Sequence, residues 1–412
     1  MRFPSLRILP FLLVACGGAL AAPLGAQEPD QPGPHLAGWR DIQFVDAHYG
    51  RGTIQARVHY PATSAGQGAP ADPASGPYPL VAFMHGFFGQ PSDYDNLNNH
   101  LASWGFVVVS IGTQLGITGS MPPEALDTQA LLQRAEDMSN DPATWLVGMV
   151  RNGDWAASGH SMGGGACFYL VGYEPRVRTI VPLEPYRGAS IGGFAGSVGF
   201  NRTFTGSVHL IAGEVDTTVP WDSHVLEYWN NGLATGRNLF TRVTGMGHLG
   251  PVDFPPNNEP LAGAEQHRLH RRMLTATLRA EMLGLEDLYV EAFGEGAAGE
   301  PIEQIVDCAR PALWALPSET TTTNLVTGLL GNPRDTRAFA WSLSTASIQT
   351  QYGTLGLDLS QGAVFGRGTA GARGKAEVLL PVRAAWSGRT VYVQGLSTPG
   401  GALTRVAAIA IP

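Results

Sequence analysis

The sequence is poor in charge and has no extended basic segment. Charged residues make up 15%, the formal net charge is -8, and the only dense cationic run is Arg268 to Arg272. That distribution lacks the electrostatic footprint with which proteins hold nucleic acid, so no nucleic-acid partner is expected, and the short run reads as a solvated helix face. Cysteine is scarce, with 3 in 412 residues, which excludes a disulfide-built scaffold. Past the N-terminus no stretch is apolar for long enough to form a membrane-spanning helix. What is abundant points to a buried, loop-rich globular chain: 44% hydrophobic residues, 53 Gly and 30 Pro. Its length exceeds what one core usually organises, so a large and a smaller folded unit are expected.

The N-terminus carries Arg2 and Arg7, then an apolar run from Ile8 to Ala22 that is too short for a bilayer span. Residues 1–26 therefore read as an export signal. Within it Leu13-Val14-Ala15-Cys16 resembles a lipoprotein lipobox, which would make Cys16 a lipid anchor, while Ala19-Leu20-Ala21 offers an ordinary cleavage site. Either outcome places the body outside the cytoplasm: secreted, periplasmic or lipid-anchored to the cell envelope. Cys167 and Cys308 remain, either as a disulfide pair or with Cys167 as a small buried side chain on an apolar helix.

Residues 27–40, with Pro29, Pro32, Gly33 and Pro34, read as a leader. Asp41 to His48 and Thr53 to Tyr60 alternate like antiparallel strands. From Leu80 the pattern changes to short apolar runs: Leu80 to Met84, Phe106 to Ile111, Trp155 to Ser158, Val177 to Leu183, Val208 to Ala212 and Leu239 to Val243. Such runs suit parallel strands covered on both faces. Helical patterns separate them at Asp93 to Trp104, Glu124 to Met138, Ser161 to Tyr173, Asp222 to Asn230 and Glu265 to Met282. The alternation predicts an α/β fold with a doubly wound, mostly parallel sheet over residues 41–295. A linker is expected over 296–334, and residues 335–412, with short strands between Gly, Ser and Pro, predict a small all-β sandwich.

The strongest chemical signal is Gly159-His160-Ser161-Met162-Gly163-Gly164, which follows an apolar strand and opens an apolar helix. This is the setting of a G-x-S-x-G nucleophile elbow, where the flanking glycines admit a turn too tight for side chains. A hydroxyl needs an adjacent base, and in this architecture the chain order is serine, acid, histidine. His248, in the glycine-rich loop after the last predicted strand of the sheet, is the expected base. Asp216 stands directly after the strand Val208 to Ala212 and is the expected acid. Glu184, at the end of the preceding strand, is the alternative acid, or else a carboxylate lining the pocket. The oxyanion donors are expected to be the backbone N–H groups of Met162 and of Phe87, in Met84-His85-Gly86-Phe87. His85 is expected to brace that loop by hydrogen bonds. The chemistry needs no cofactor and no metal, and the C-terminal segment shows no cluster at metal-ligand spacing.

At these residues the chain resembles the bacterial cutinase and poly(ethylene terephthalate) hydrolase-like branch of the α/β-hydrolases, with chlorophyllases and platelet-activating-factor acetylhydrolases as more distant relatives. The matching stretches are Gly159 to Gly165, Gly213 to His224 with Asp216, Thr217 and Pro220, and Leu101 to Val109. The likeness covers roughly residues 40 to 295. It implies an exported serine carboxylic-ester hydrolase acting on small, lipid or polyester-type esters, with Ser161, Asp216 and His248 as triad and Phe87 and Met162 at the oxyanion. Glu184-Pro185-Tyr186 departs from the Thr-Pro-Trp usual in polyester hydrolases and resembles the acid position of the acetylhydrolases. The loop Gly188 to Phe204 and the segment Pro251 to Pro260 have no clear counterpart and could reshape the pocket. The C-terminal segment resembles a short β-domain appended to diverse exported bacterial proteins, and its Trp341, Tyr352, Trp386 and Tyr392 are either core or a surface- or polymer-binding face. The alternative to an enzyme is a non-catalytic surface binding protein on the same scaffold.

Overall fold

A computed structural model describes residues 27–188, 204–231, 234–254, 258–318, 323–370, 373–398 and 402–411. The expected signal with Cys16, most of the loop 188–204, and residues 255–257 lie outside the described residues. Among the described residues no helix is long and apolar enough to cross a membrane.

The strands of the main sheet are β1 (Leu36–Val45), β2 (Thr53–Ala62), β3 (Gly66–Gln67), β4 (Tyr78–Met84), β5 (Val107–Ile111), β6 (Val150–His160), β7 (Val177–Leu183), β8 (Ser207–Gly213), β9 (Arg237–Val243) and β10 (Ile302–Cys308). They form one 10-stranded sheet in the order β10-β9-β8-β7-β6-β4-β5-β2-β1-β3. The six strands β4 to β9 run parallel, while β1–β2, β2–β5 and β9–β10 are antiparallel. Every residue of β4 and β8 is buried, as unbroken apolar runs require in a sheet covered on both sides.

The cover consists of α1 (Asp95–Ser103), α2 (Met121–Asn140), α3 (Met162–Tyr173), α4 (Val225–Asn231), α5 (Gly263–Met282) and α6 (Tyr289–Phe293). Alternation along β4 divides the core. Leu80, Ala82 and Met84 join Leu131, Phe168 and Tyr228 of α2, α3 and α4 on one face. Val81 and Phe83 join Leu97 and Leu101 of α1 and Leu269 and Met273 of α5 on the other.

Three expectations are corrected. The leader is not loose: β1 begins inside it, Trp104 donates its indole N–H to the Gln31 carbonyl at 2.9 Å, and Asp30 is buried. The Arg268 to Arg272 run is correspondingly not a solvated face. Arg268 bonds Asp30 at 2.9 Å, and Arg272, 5% exposed, reaches Glu28 at 2.8 Å and Glu291 at 2.5 Å. The positive charges are neutralised by carboxylates of the N-terminal segment together with Glu265, Glu291 and Glu300.

Residues 296–334 are not a linker. Seven-residue β10 pairs along the whole of β9 and closes that sheet edge. The strands β11 (Ala312–Pro317) and β12 (Asn324–Leu330) follow at once. Then come β13 (Thr336–Ser342), β14 (Thr345–Thr350), β15 (Gly353–Leu357), β16 (Gly362–Thr369), β17 (Lys375–Pro381), β18 (Thr390–Thr398) and β19 (Leu403–Ala410). A three-stranded sheet β11-β12-β17 packs on a four-stranded sheet β16-β13-β18-β19, with β14-β15 as a separate hairpin. Leu313, Leu329 and Leu380 from the first sheet meet Phe339, Val391 and Val393 from the second. Trp341 and Trp386 belong to that core, with ring centroids 4.5 Å apart. A further cluster joins this unit to the main sheet: Leu239, Tyr289 and Phe293 pack with Val306, Trp314 and Val326. Cys167 and Cys308 are both buried and free.

Candidate active site

Ser161 lies between β6 and α3 with φ 54° and ψ -113°, a conformation that ordinary residues adopt only under constraint. The constraint is visible in its neighbours. A Cβ on Gly159 would sit 2.6 Å from the Gly163 backbone, and one on Gly163 would sit 2.2 Å from the Met84 carbonyl oxygen. The turn is pinned further where Ser161 N–H donates to Leu183 O at 3.0 Å and Gly163 N–H donates to His85 O at 3.1 Å.

His248 comes from the loop after β9, where the Gly247 amide is held by the Glu259 carboxylate at 2.8 Å. Its Nε2 is 3.0 Å from Ser161 Oγ and its Nδ1 is 2.7 Å from Asp216 Oδ2. The other carboxylate oxygen of Asp216 accepts the amides of Thr218 and Val219, both at 2.8 Å. A carboxylate only accepts, so Nδ1 carries the imidazole proton and Nε2 is free to take one from the serine hydroxyl.

Glu184 is bonded elsewhere. It is fully buried, and desolvation, reinforced by the negative charge of Asp216, pushes its carboxyl well above the usual range. Its partner is His270, also fully buried and held by desolvation at about 4. His270 Nδ1 lies 2.8 Å from the Gln266 carbonyl and must donate there, so Nε2, 3.3 Å from Glu184 Oε1, is an acceptor. Glu184 is therefore a neutral acid donating to a neutral histidine other than His248. The backbone at Glu184 has φ 42°.

Phe87, Met162 and Ser161 line one cleft of about 440 Å³ together with Met121, Tyr186 and Val219, and among the described residues no charged side chain lines it. Among the described residues no backbone acceptor takes the amide of Phe87 or Met162. His85 faces the Gly86 and Thr113 carbonyls, each at 2.8 Å, and so ties its loop to the end of β5. Beside the cleft Phe87 and Phe88 are exposed with ring centroids 4.4 Å apart, and Leu249, next to His248 in sequence, is exposed too. No group of three or more His, Cys, Asp or Glu among the described residues could hold a metal ion.

The neighbourhood also contains residues without a role in the sequence expectations. His160, inside the elbow, bonds the His248 carbonyl through Nε2 at 2.8 Å and Tyr94 through Nδ1 at 2.9 Å. His270 hides within the arginine run. A histidine beside the nucleophile and another facing inward on α5 are signals only once the helix faces are known.

Residues 31–252 match the model of the PET hydrolase-like family. Cutinase cut1 of Thermobifida fusca is 25% identical over 252 residues, covering 57% of this chain and 69% of its own length. Cutinase 2 of Thermobifida cellulosilytica is 26% identical over 179 residues, covering 42% of this chain and 62% of its own length. Lipase 1 of Moraxella sp. (strain TA144) is 31% identical over 144 residues, covering 35% of this chain and 40% of its own length.

Proposed function

The chain belongs to the PET hydrolase-like branch of the α/β-hydrolases and is a carboxylic ester hydrolase, and we propose that it is an exported enzyme acting through a Ser161 acyl-enzyme. The observation that carries the reading is the continuous line from Ser161 Oγ through His248 to Asp216 at 3.0 and 2.7 Å. In this reading Ser161 attacks the ester carbonyl as His248 Nε2 takes its proton, and Asp216 stabilises the imidazolium. The amides of Phe87 and Met162 receive the developing oxyanion, each worth on the order of 3 kcal/mol at the transition state. The imidazolium then protonates the departing alcohol, and a water activated by the same histidine releases the acid.

A cleft whose described lining carries no charge, with Phe87 and Phe88 exposed beside it, favours neutral, apolar esters of the lipid or polyester type over charged ones. Export rests on the N-terminal sequence, with its arginines, short apolar run and small residues. The reading is tested by Ser161→Ala. Hydrolysis of p-nitrophenyl esters should vanish while the far-UV circular dichroism is retained; turnover by the folded variant would overturn it.

A further inference from the structure

The loop that carries the Phe87 amide and the loop that carries His248 are far apart in sequence, and a chain of hydrogen bonds through two buried side chains joins them. The Gly86 amide donates to Tyr94 Oη at 2.9 Å, Tyr94 Oη lies 2.9 Å from His160 Nδ1, and His160 Nε2 lies 2.8 Å from the His248 carbonyl. Every proton in this chain has one place to go. An amide can only donate and a carbonyl can only accept, so Nε2 carries the His160 proton, Nδ1 accepts, and the phenol donates to it. Tyr94 and His160 are 1% and 3% exposed, so both rings make these bonds inside the protein. Burial raises the Tyr94 phenol and depresses His160 well below its usual value, which keeps both neutral and the polarity fixed.

Resting on the Ser161–His248 reading above, we propose that Tyr94 and His160 are positioning residues that lock the oxyanion loop to the backbone of the general base. Their ring chemistry is not interchangeable with bulk. The His160 ring lies 4.7 Å from the His248 ring, centroid to centroid, so it must stay uncharged when His248 becomes an imidazolium. Gly86 is the one residue type that lets the bridge close, since a Cβ there would sit 2.9 Å from His160 Nδ1 and 3.2 Å from Tyr94 Oη. Losing the bridge would let the two halves of the site drift relative to each other, and displacements near 1 Å cost catalysis about 100-fold.

The test compares Tyr94→Phe, His160→Phe and His160→Gln with the full-length enzyme on a p-nitrophenyl ester. His160→Phe keeps a ring and loses both bonds, and kcat should fall about 10- to 100-fold with KM within twofold. His160→Gln keeps an acceptor and a donor and should recover most of that loss. Tyr94→Phe should behave like His160→Phe, with melting temperatures recorded for all three so that kcat is compared among folded variants. In the wild-type protein, nitrogen-15 spectra should show His160 as the Nε2–H tautomer, not titrating between pH 5 and 8. Unchanged kcat in His160→Phe, equal damage in the Phe and Gln variants, or a His160 that titrates in that range would each overturn the bridge. A catalytically active Ser161→Ala variant would instead sink the underlying reading, and with it the reason for any such bridge.

Discussion

Replacing Asp216 with Asn changes a single group and reverses the polarity of one hydrogen bond. One carboxylate oxygen of Asp216 accepts two backbone amides at 2.8 Å, from Thr218 and Val219, so in the variant the carbonyl oxygen of Asn must take that place. The NH2 group is then forced to the position that faces His248 Nδ1 across 2.7 Å, and it can only donate. The imidazole must answer with a lone pair at Nδ1, which moves its proton to Nε2, pointing at Ser161 Oγ. A base carrying its proton on that nitrogen cannot take another from serine at neutral pH. Wrong-tautomer substitutions of this kind lower kcat on the order of 10³- to 10⁴-fold, about 4–5.5 kcal/mol of transition-state stabilisation. Steady-state hydrolysis of a p-nitrophenyl ester at pH 8 reads the loss, beside a thermal melt showing that Asn preserves the fold. If Asp216→Asn keeps more than a tenth of the wild-type kcat, the acid has been misassigned.

Glu184→Gln should retain activity within about tenfold, because an amide can donate to His270 as the neutral carboxyl does. It should also change the pH dependence of stability: the unfolded carboxyl ionises above about 4.5 while the folded one keeps its proton, so the wild type loses stability as pH rises through that value. The advantage of the variant in urea unfolding should therefore grow from pH 5 to pH 8, by at most about 1.4 kcal/mol per unit, and a flat difference would show that Glu184 is ionised in the fold. Gly163→Ala places a methyl 2.2 Å from the Met84 carbonyl oxygen and should lower stability by about 1–3 kcal/mol, read as a reduced melting temperature. Arg237, 3% exposed and bonded to Glu281 at 2.7 Å, stands where the main sheet meets the β unit. Arg237→Ala should cost about 1–3 kcal/mol in urea unfolding by leaving the buried Glu281 with only Tyr289 and the more exposed Arg310 as partners, and a change below 1 kcal/mol would contradict that role.

The parallel sheet was legible because its strands are buried on both faces and therefore read as unbroken apolar runs, as Val177 to Leu183 and Val208 to Ala212 do. The tight turn at Ser161 was legible because it demands glycine on both sides, and the Gly159 and Gly163 contacts explain why. The choice between Asp216 and Glu184 was not, since both are acids at strand ends. What separates them in space is that one receives two backbone amides and the other is paired with His270 on α5. The arginines of α5 looked solvated because a linear sequence hides their partners, Glu28 and Asp30, which lie some 240 positions away. Strand β10 was missed for a related reason: Ile302–Cys308 alternates with Glu303 and Asp307, follows a glycine-rich stretch, and gains its identity only from the open edge of β9.

The central claim is that the Ser161 hydroxyl is activated by His248. Labelling the intact protein with a fluorophosphonate and mapping the adduct by peptide mass spectrometry tests it without any assumption about substrate. A single adduct on the peptide containing Ser161, lost in His248→Ala, is the predicted result. An unlabelled protein, or an adduct that forms at the same rate without the imidazole, would contradict it.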